Sequence, residues 1–358
     1  MTTTETAVSK KEQLKGKTLS ELKEWFLANS EPSFRGEQVF NWMYNHLAED
    51  YSEMLNISKD LRKKLDEKTI LNTLRITDKK VSSSEGTVKL LLKTAQDNLI
   101  ECVIIPEEKR CTLCISSQVG CPLDCKFCAT GIMGYKRNLT PGEIFDQYAI
   151  AQRNYDRAIS NIVYMGMGEP LLNFKNTVKS LEIFAEELTT GISLKKVTVS
   201  TAGIAPKIKE LADTGLKPKL ALSLHSCFEE IRSKIMPIND KYSLSETIKS
   251  VFYYAEKTGT RITFEYVMLK DINDRIEDAD ALVKLCRRIP SKVNIIPFNS
   301  LQHINPKGIS AELIPTSKKE IEKFANYLRD KNITVMVRDT QGSDIAAACG
   351  QLAITQTA

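Results

Sequence analysis

Long apolar runs are missing from this chain of 358 residues; nothing in it approaches the roughly 18 consecutive apolar residues that a membrane-spanning helix needs. That excludes a helical membrane protein. The opening stretch MTTTETAVSKKEQLKGK lacks the apolar core of a secretory signal, so the chain is expected in a reducing cytoplasm, where thiols stay free, bind metal or do chemistry. Histidine is scarce, with only His46, His225 and His303, which leaves little material for a Cys/His zinc site. A strong charge of one sign is absent as well, since 50 Lys and Arg face 45 Asp and Glu for a net of +5. Overall charge therefore does not argue for nucleic acid. Neither an internal repeat nor a low-complexity tract is present.

What is present is an ordinary globular composition, 42% hydrophobic and 27% charged, with nine cysteines that need a use. The length allows one large domain plus a smaller one. A flexible tail is expected over 1–18. Thr18 to about Lys68 alternates polar and apolar residues at helical spacing, with breaks at NSEPSFRG and NISKD, which predicts a small helical domain over 19–70. Ser33 stands ahead of a helix from about Gly36, and its Val39, Phe40, Trp42 and Met43 share one face, a core pattern. From Lys59 to Lys80 eight basic residues face four acidic ones, a net of +4 that suits either a solvated face or an RNA-binding one. TVKLLLKT and NLIECVII then read as strands of a β extension over 71–110.

From Cys111 to about residue 340 strands and helices alternate. Strand-like runs occur at 112–117, 161–167, 195–200, 218–224, 261–269, 292–298 and 332–338, with helical stretches between them. Such alternation predicts an α/β fold with a parallel sheet: six βα repeats and a closing strand suggest an incomplete (β/α)6 barrel, with an open doubly wound sheet as the alternative. In barrels the site lies at the carboxyl ends of the strands. The cysteine loop follows the first strand, GMGEP (166–170) the second, STAG (200–203) the third, SLHS (223–226) the fourth and FNS (298–300) the sixth. The chain buries itself without a partner on this pattern, so a monomer is expected.

CPLDCKFC (121–128) places Cys121, Cys125 and Cys128 at C-x3-C-x2-C spacing. Soft thiolates so close together select zinc or an iron–sulfur cluster. Cys114 can serve as a fourth ligand, and Cys111 forms a C-x2-C pair with it, which keeps a zinc-dependent RNA-binding protein open. The three-cysteine spacing, with Phe127 before the last cysteine, resembles instead the signature of the radical S-adenosylmethionine superfamily. That resemblance implies a [4Fe–4S] cluster with three protein ligands and one iron left for S-adenosylmethionine. Gly168, Glu169, Ser200, Ser223, Leu224, His225 and Asn299 are the expected contacts to that cofactor, the glycines of GMGEP admitting its close approach.

CISSQVGC, CKFCATG, NIVYMGMGEPLLN, SLHS, MPIN, EYVMLKDIND, NIIPFN and DIAAACGQLA together resemble the RlmN family of dual-specificity RNA adenine C2-methyltransferases, over about residues 19–353. The resemblance implies two targets: an adenosine in the peptidyl-transferase region of 23S rRNA, and the adenosine just 3′ of the anticodon in some tRNAs. It implies two S-adenosylmethionine molecules per turnover and an external electron donor of the flavodoxin or ferredoxin type. Cys349, in the terminal segment 341–358, becomes the methyl carrier, and Cys114 the thiol that resolves the RNA–enzyme link through a transient disulfide. Glu101 becomes the base that takes the C2 proton. Read without the family, Cys349 is a small packing residue and Glu101 an exposed strand carboxylate. GEPLLN is closer to the C2 enzymes than to their C8-methylating relatives. Cys102 and Cys111 match no family position, and Cys227 and Cys286 read as packing.

Overall fold

The computed structural model describes residues 11–354. Strand β1 (Glu12–Gln13) leads into α1 (Leu19–Ala28), α2 (Ser33–Tyr44) and α3 (Lys59–Lys68), and β2 (Thr69–Ile70) returns to pair with β1 in parallel. Thr18 and Glu21 cap α1 reciprocally, while α2 begins at Ser33 itself with Pro32 before it. The flexible tail expected over 1–18 does not reach that far: Leu14 and Lys15 are fully buried, and residues 1–10 lie outside the described residues. Lys15 Nζ pairs with Asp146 Oδ1 at 2.6 Å, both inside the protein, and Thr73 N donates to Asp146 Oδ2 at 2.6 Å. The helical unit is thereby wired into the larger body.

Strands β3 (Leu74–Val81), β4 (Val88–Thr94) and β5 (Leu99–Pro106) form an antiparallel meander that continues onto β6 (Cys111–Cys114). A short hairpin of β7 (Gln118–Gly120) and β8 (Tyr135–Asn138) brackets the cysteine loop, with α4 (Ala129–Ile132) inside it. Helix α5 (Pro141–Arg153) opens on a Thr140–Glu143 capping box with Pro141 in its first turn. Then follow β9 (Asn161–Tyr164), α6 (Phe174–Ala185), β10 (Val197–Thr201), α7 (Ala205–Asp213) and β11 (Lys219–Ser223). Two short helices, α8 (Glu229–Ile235) and α9 (Ile238–Lys241), precede α10 (Leu244–Thr258), which ends on Gly259 in the left-handed conformation. The chain closes with β12 (Ile262–Met268), α11 (Ile276–Cys286), β13 (Ser291–Pro297), α12 (Ile309–Glu312), α13 (Lys318–Asp330) and β14 (Val335–Val337).

One ten-stranded sheet runs β14-β13-β12-β11-β10-β9-β6-β5-β4-β3. Its β6 to β14 portion is parallel throughout, as βα crossovers require. The sheet stays open, because β14 and β3 do not pair. Every residue of β12 is buried, as expected of a parallel strand covered on both faces. Strand β3, an outer edge, exposes all but Leu74 and carries Arg75, Lys79 and Lys80, which discourage pairing with another chain. Among the described residues no helix is long and apolar enough to cross a membrane.

Candidate active site

Cys121, Cys125 and Cys128 line one cavity with about 970 Å³ of space, where the carboxyl ends of the parallel strands meet the loop between β7 and β8. Cys121 N donates to Gly134 O at 2.9 Å and Cys128 N to Cys125 O at 3.1 Å, so the loop is pinned by its own backbone. Burial drives all three thiols well above their ordinary value, and for Cys125 the other two raise it further. Three buried, mutually repelling thiols are what a cationic group would convert to thiolates, so the residues fit an iron–sulfur cluster.

The zinc alternative does not fit. Cys111 and Cys114 are three residues apart on β6 and so point to opposite faces of the sheet. Cys111 lies on the side that senses Arg157, whereas Cys114 lies on the side of Cys349 and Arg338. Among the described residues no three His, Cys, Asp or Glu side chains converge as around a single metal ion.

The loop after β9 is built by contacts within the protein. Gly168 has φ +99°, and a Cβ there would stand 2.5 Å from Gln118 Cβ; at Gly166 it would stand 2.7 Å from Ile115 O. Both glycines thus let this loop lie against the segment that feeds the cysteines, and both also line the cavity in which the cofactor contact expected from sequence would be made. Glu169 is buried, and its carboxylate accepts from Leu171 N at 2.9 Å and Ala202 N at 2.7 Å. Burial outweighs those bonds and pushes its carboxyl up to about 7. Glu169 thereby staples the end of β9 to the end of β10.

Ser200, Ser223, His225 and Asn299 also line the cavity. Leu224 does not: its side chain is buried in the core, its N donates to Glu265 O at 3.0 Å, and its carbonyl accepts from Arg232 Nε at 3.2 Å. His225 sits in the left-handed region at φ 55°, accepts from Val267 N through Nδ1 at 3.0 Å, and meets Phe127 edge-on at 4.5 Å between ring centroids. Burial and nearby Arg232 lower its imidazole to about 3, so it stays neutral. Arg232, a fully buried guanidinium that no sequence pattern marked, braces two strand ends and helix α9 through Leu224 O, Ala202 O at 2.6 Å and Asn239 Oδ1 at 2.6 Å.

The terminal segment closes the cavity from the side. Ala129 N donates to Gly350 O at 2.7 Å, Asn299 Nδ2 to Cys349 O at 3.1 Å, and Thr130 Oγ1 to Leu352 O at 2.6 Å. Cys349 is exposed at the cavity rim, yet the protein around it desolvates its thiol and pushes it up to about 11, against the pull of the Arg338 guanidinium. Cys114, buried on β6, is pushed up to about 12, with Cys349 near enough to add to the rise. Cys349 thus lies in the wall of the three-cysteine cavity, and Cys114 lies on the face of β6 turned toward it.

Glu101 stands apart from that cavity. It is buried rather than exposed, and Lys89 Nζ pairs with its Oε1 at 3.0 Å while donating to Ala346 O at 3.0 Å. Its Oε2 has no hydrogen-bond partner, and burial holds its carboxyl above the usual range despite Lys89. The segment around Ala346 covers it. Lys89 escaped the sequence reading because only the register of β4 on β5, with Leu91 opposite Glu101, places it there.

Comparison with known proteins agrees with this geometry. The family described as "Radical SAM superfamily" matches residues 115–286, and the one described as "Ribosomal RNA large subunit methyltransferase N-terminal domain" matches residues 12–71. The chain is 42% identical to a probable dual-specificity RNA methyltransferase RlmN of Christiangramia forsetii, over 96% of this chain and 97% of that one. It is 45% identical to the protein of the same description from Dictyoglomus turgidum, over 90% and 91%. Its fold is similar to the crystal structure of a radical SAM methyltransferase from Sphaerobacter thermophilus, with a TM-score of 0.89 and 38% identity over 95% of this chain and 99% of that one.

Proposed function

Since the chain belongs to the RlmN family of radical S-adenosylmethionine RNA methyltransferases, we propose that it methylates C2 of adenosine in 23S rRNA and in tRNA by way of Cys349. The family uses a [4Fe–4S] cluster and S-adenosylmethionine. Cys121, Cys125 and Cys128 would hold the cluster, and Ser200, Ser223, His225 and Asn299 would face the cofactor from the strand ends. Glu169, whose carboxylate is engaged by two backbone amides, offers the cofactor a shaped loop as much as a charge. When bound, these groups supply the methyl and the radical that activates it.

The observation that carries the reading is Cys349 in the wall of the three-cysteine cavity, with Cys114 on the face of β6 turned toward it. An electron-poor carbon such as C2 is no target for ordinary methyl transfer, so a carrier on the protein is needed, together with a second thiol to free the product. Cys349 accepts the methyl group. Glu101 takes the C2 proton once the segment around Ala346 has moved off it. The Cys114 thiolate then attacks the Cys349 sulfur and breaks its bond to the methylene carbon now joined to C2; that carbon takes the electron pair and a proton to become the product methyl group, and the two sulfurs are left as a disulfide, transient in the cytoplasm where RNA is made and processed. A small reduced electron carrier of the flavodoxin or ferredoxin type would serve the cluster. Helix α3, with Lys59, Arg62, Lys63, Lys64 and Lys68, supports a role for the helical unit in gripping RNA.

Mass analysis of RNA from cells lacking this protein should show loss of 2-methyladenosine rather than 8-methyladenosine. In vitro, Cys349→Ala should abolish RNA methylation while cluster absorbance and S-adenosylmethionine cleavage persist. Full methylation by that variant would end the proposal.

A further inference from the structure

Cys349 belongs to the walls of two cavities. Besides the one described above, a larger one with about 1500 Å³ of space opens at the opposite ends of the strands. Thr112, Asn161, Thr198, Lys219, Thr263 and Lys292 line it, each the first or second residue of its strand in β6 and β9 through β13. Cys349, Met165, Glu265, Ile296 and Asn299 are shared with the first cavity. The two therefore meet at the proposed methyl carrier.

The charges in the second cavity are unevenly matched. Arg110 is paired with Glu107 at 2.8 Å and Arg338 with Glu265 at 3.0 Å. Among the described residues no carboxylate lies within ion-pairing distance of Lys219 or Lys292, and Asp339 alone is left against the two lysines. Burial lowers the Lys292 ammonium; Glu265 offsets that in part, while Lys219, Arg338 and Arg110 add to it. A concave surface that crowds cations in this way is relieved by an anion.

We infer that this rear cavity admits the target nucleotide to Cys349, with Lys219 and Lys292 holding the phosphodiester oxygens that flank the base. The inference rests on the RNA-methyltransferase reading. A base can be worked on only after it leaves its stack and enters a pocket, and its phosphates must come with it. The first cavity is committed to the cluster and the cofactor, so the base reaches the carbon on Cys349 from the side they leave free. Lysines act here as point charges on phosphate. They position the strand without reading its sequence.

The test uses the holoprotein, a fluorescent RNA hairpin with an unpaired adenosine, and the double variant Lys219→Met/Lys292→Met. Hairpin affinity at low salt should fall at least tenfold, and the dependence of log affinity on log salt should become shallower by about 1.4, two phosphate contacts at about 0.7 each. The RNA concentration that half-saturates methyl transfer should rise in step with the loss of affinity. Lys219→Arg/Lys292→Arg should restore binding, which damage to the fold would not allow. If the double variant fails to fold, the exposed Lys219 replaced alone by Gln should still flatten the salt dependence by about 0.7. Unchanged affinity and salt dependence in the folded variants would overturn the inference. So would inorganic phosphate stabilising wild type but not the variant while both bind RNA equally, because the site would then serve a free anion. A chain that bound the hairpin through these lysines yet transferred no methyl group would sink the methyltransferase reading and leave the cavity assignment standing.

Discussion

At the scale of single residues, burial sets the chemistry of the site more than formal charge does. Glu169 and His225 both lie at strand ends inside the protein, and each is pushed toward its neutral form, Glu169 up to about 7 and His225 down to about 3. Their effects on stability have opposite signs. Glu169, raised above its ordinary 4.5, stabilises the apo fold relative to the unfolded chain at low pH and loses that advantage as pH rises to about 7. His225, lowered from 6.5, costs stability as pH falls below 6.5. The two slopes offset each other between about 4.5 and 6.5. Comparing wild type with Glu169→Gln isolates the first: the stability of the variant relative to wild type should rise by up to about 3 kcal/mol between pH 5 and pH 8, read from urea midpoints of the apo proteins. A constant difference would show that Glu169 is not held neutral by burial. The thiols make a separate prediction. With Cys114→Ala the methylated adenosine should stay covalently tied to Cys349, so an RNA-linked protein band should accumulate where wild type shows none.

Among elements, the terminal segment matters most, since its only regular structure among the described residues is one 3-10 turn at Ser343–Ile345 and yet it carries Cys349. Its hold on the body comes from elements remote in sequence. Gly342 N donates to Glu85 Oε2 at 2.8 Å, Ser83 N to Asp344 Oδ2 at 3.2 Å, and Lys89 Nζ to Ala346 O at 3.0 Å. The β3–β4 hairpin is thus the clasp for the segment, and Lys89 ties the clasp to Glu101. Lys89→Met should loosen it and leave the Glu101 carboxylate buried without its cation. Alkylation of Cys349 by iodoacetamide should quicken severalfold and RNA methylation should fall at least tenfold, with partial recovery in Lys89→Arg. Equal alkylation rates in wild type and Lys89→Met would mean that the segment is held from its other end alone. That other end rests on Asn299, Ala129 and Thr130, next to the cysteine loop. Cys349, the proposed methyl carrier, is therefore positioned by both the β extension and the cysteine loop.

For the whole molecule, the helical unit and the open α/β sheet share one continuous core, with Tyr44 edge-on to Phe145 at 4.8 Å between ring centroids and Lys15 buried against Asp146. Removing the first seventy residues would expose that core, so loss of RNA binding in such a deletion would not by itself locate an RNA surface. Lys15→Met leaves Asp146 buried without its cation and should cost about 3–5 kcal/mol in denaturant unfolding, with one cooperative transition replaced by two if the units part. The parallel strands, the helices between them and the cysteine loop were legible from residue order because they depend on local period and spacing: the runs at 161–167 and 261–269 contain β9 and β12, and α5 is one of the helices expected between strands. Strand β3, with its run of exposed charged residues, gave no such period, and the short helices α8 and α9 hid in a stretch read as loop. The spacing of Cys121, Cys125 and Cys128 was local too, enough by itself to point to zinc or an iron–sulfur cluster, with the family resemblance favouring the cluster. Tertiary structure alone decided the rest: that Cys111 and Cys114 face opposite sides of β6, that Leu224 turns into the core, that Gly166 and Gly168 make room for protein, and that Lys89 covers Glu101. These depend on register and on contacts between residues far apart in the chain, and neither leaves a trace in the order of the residues.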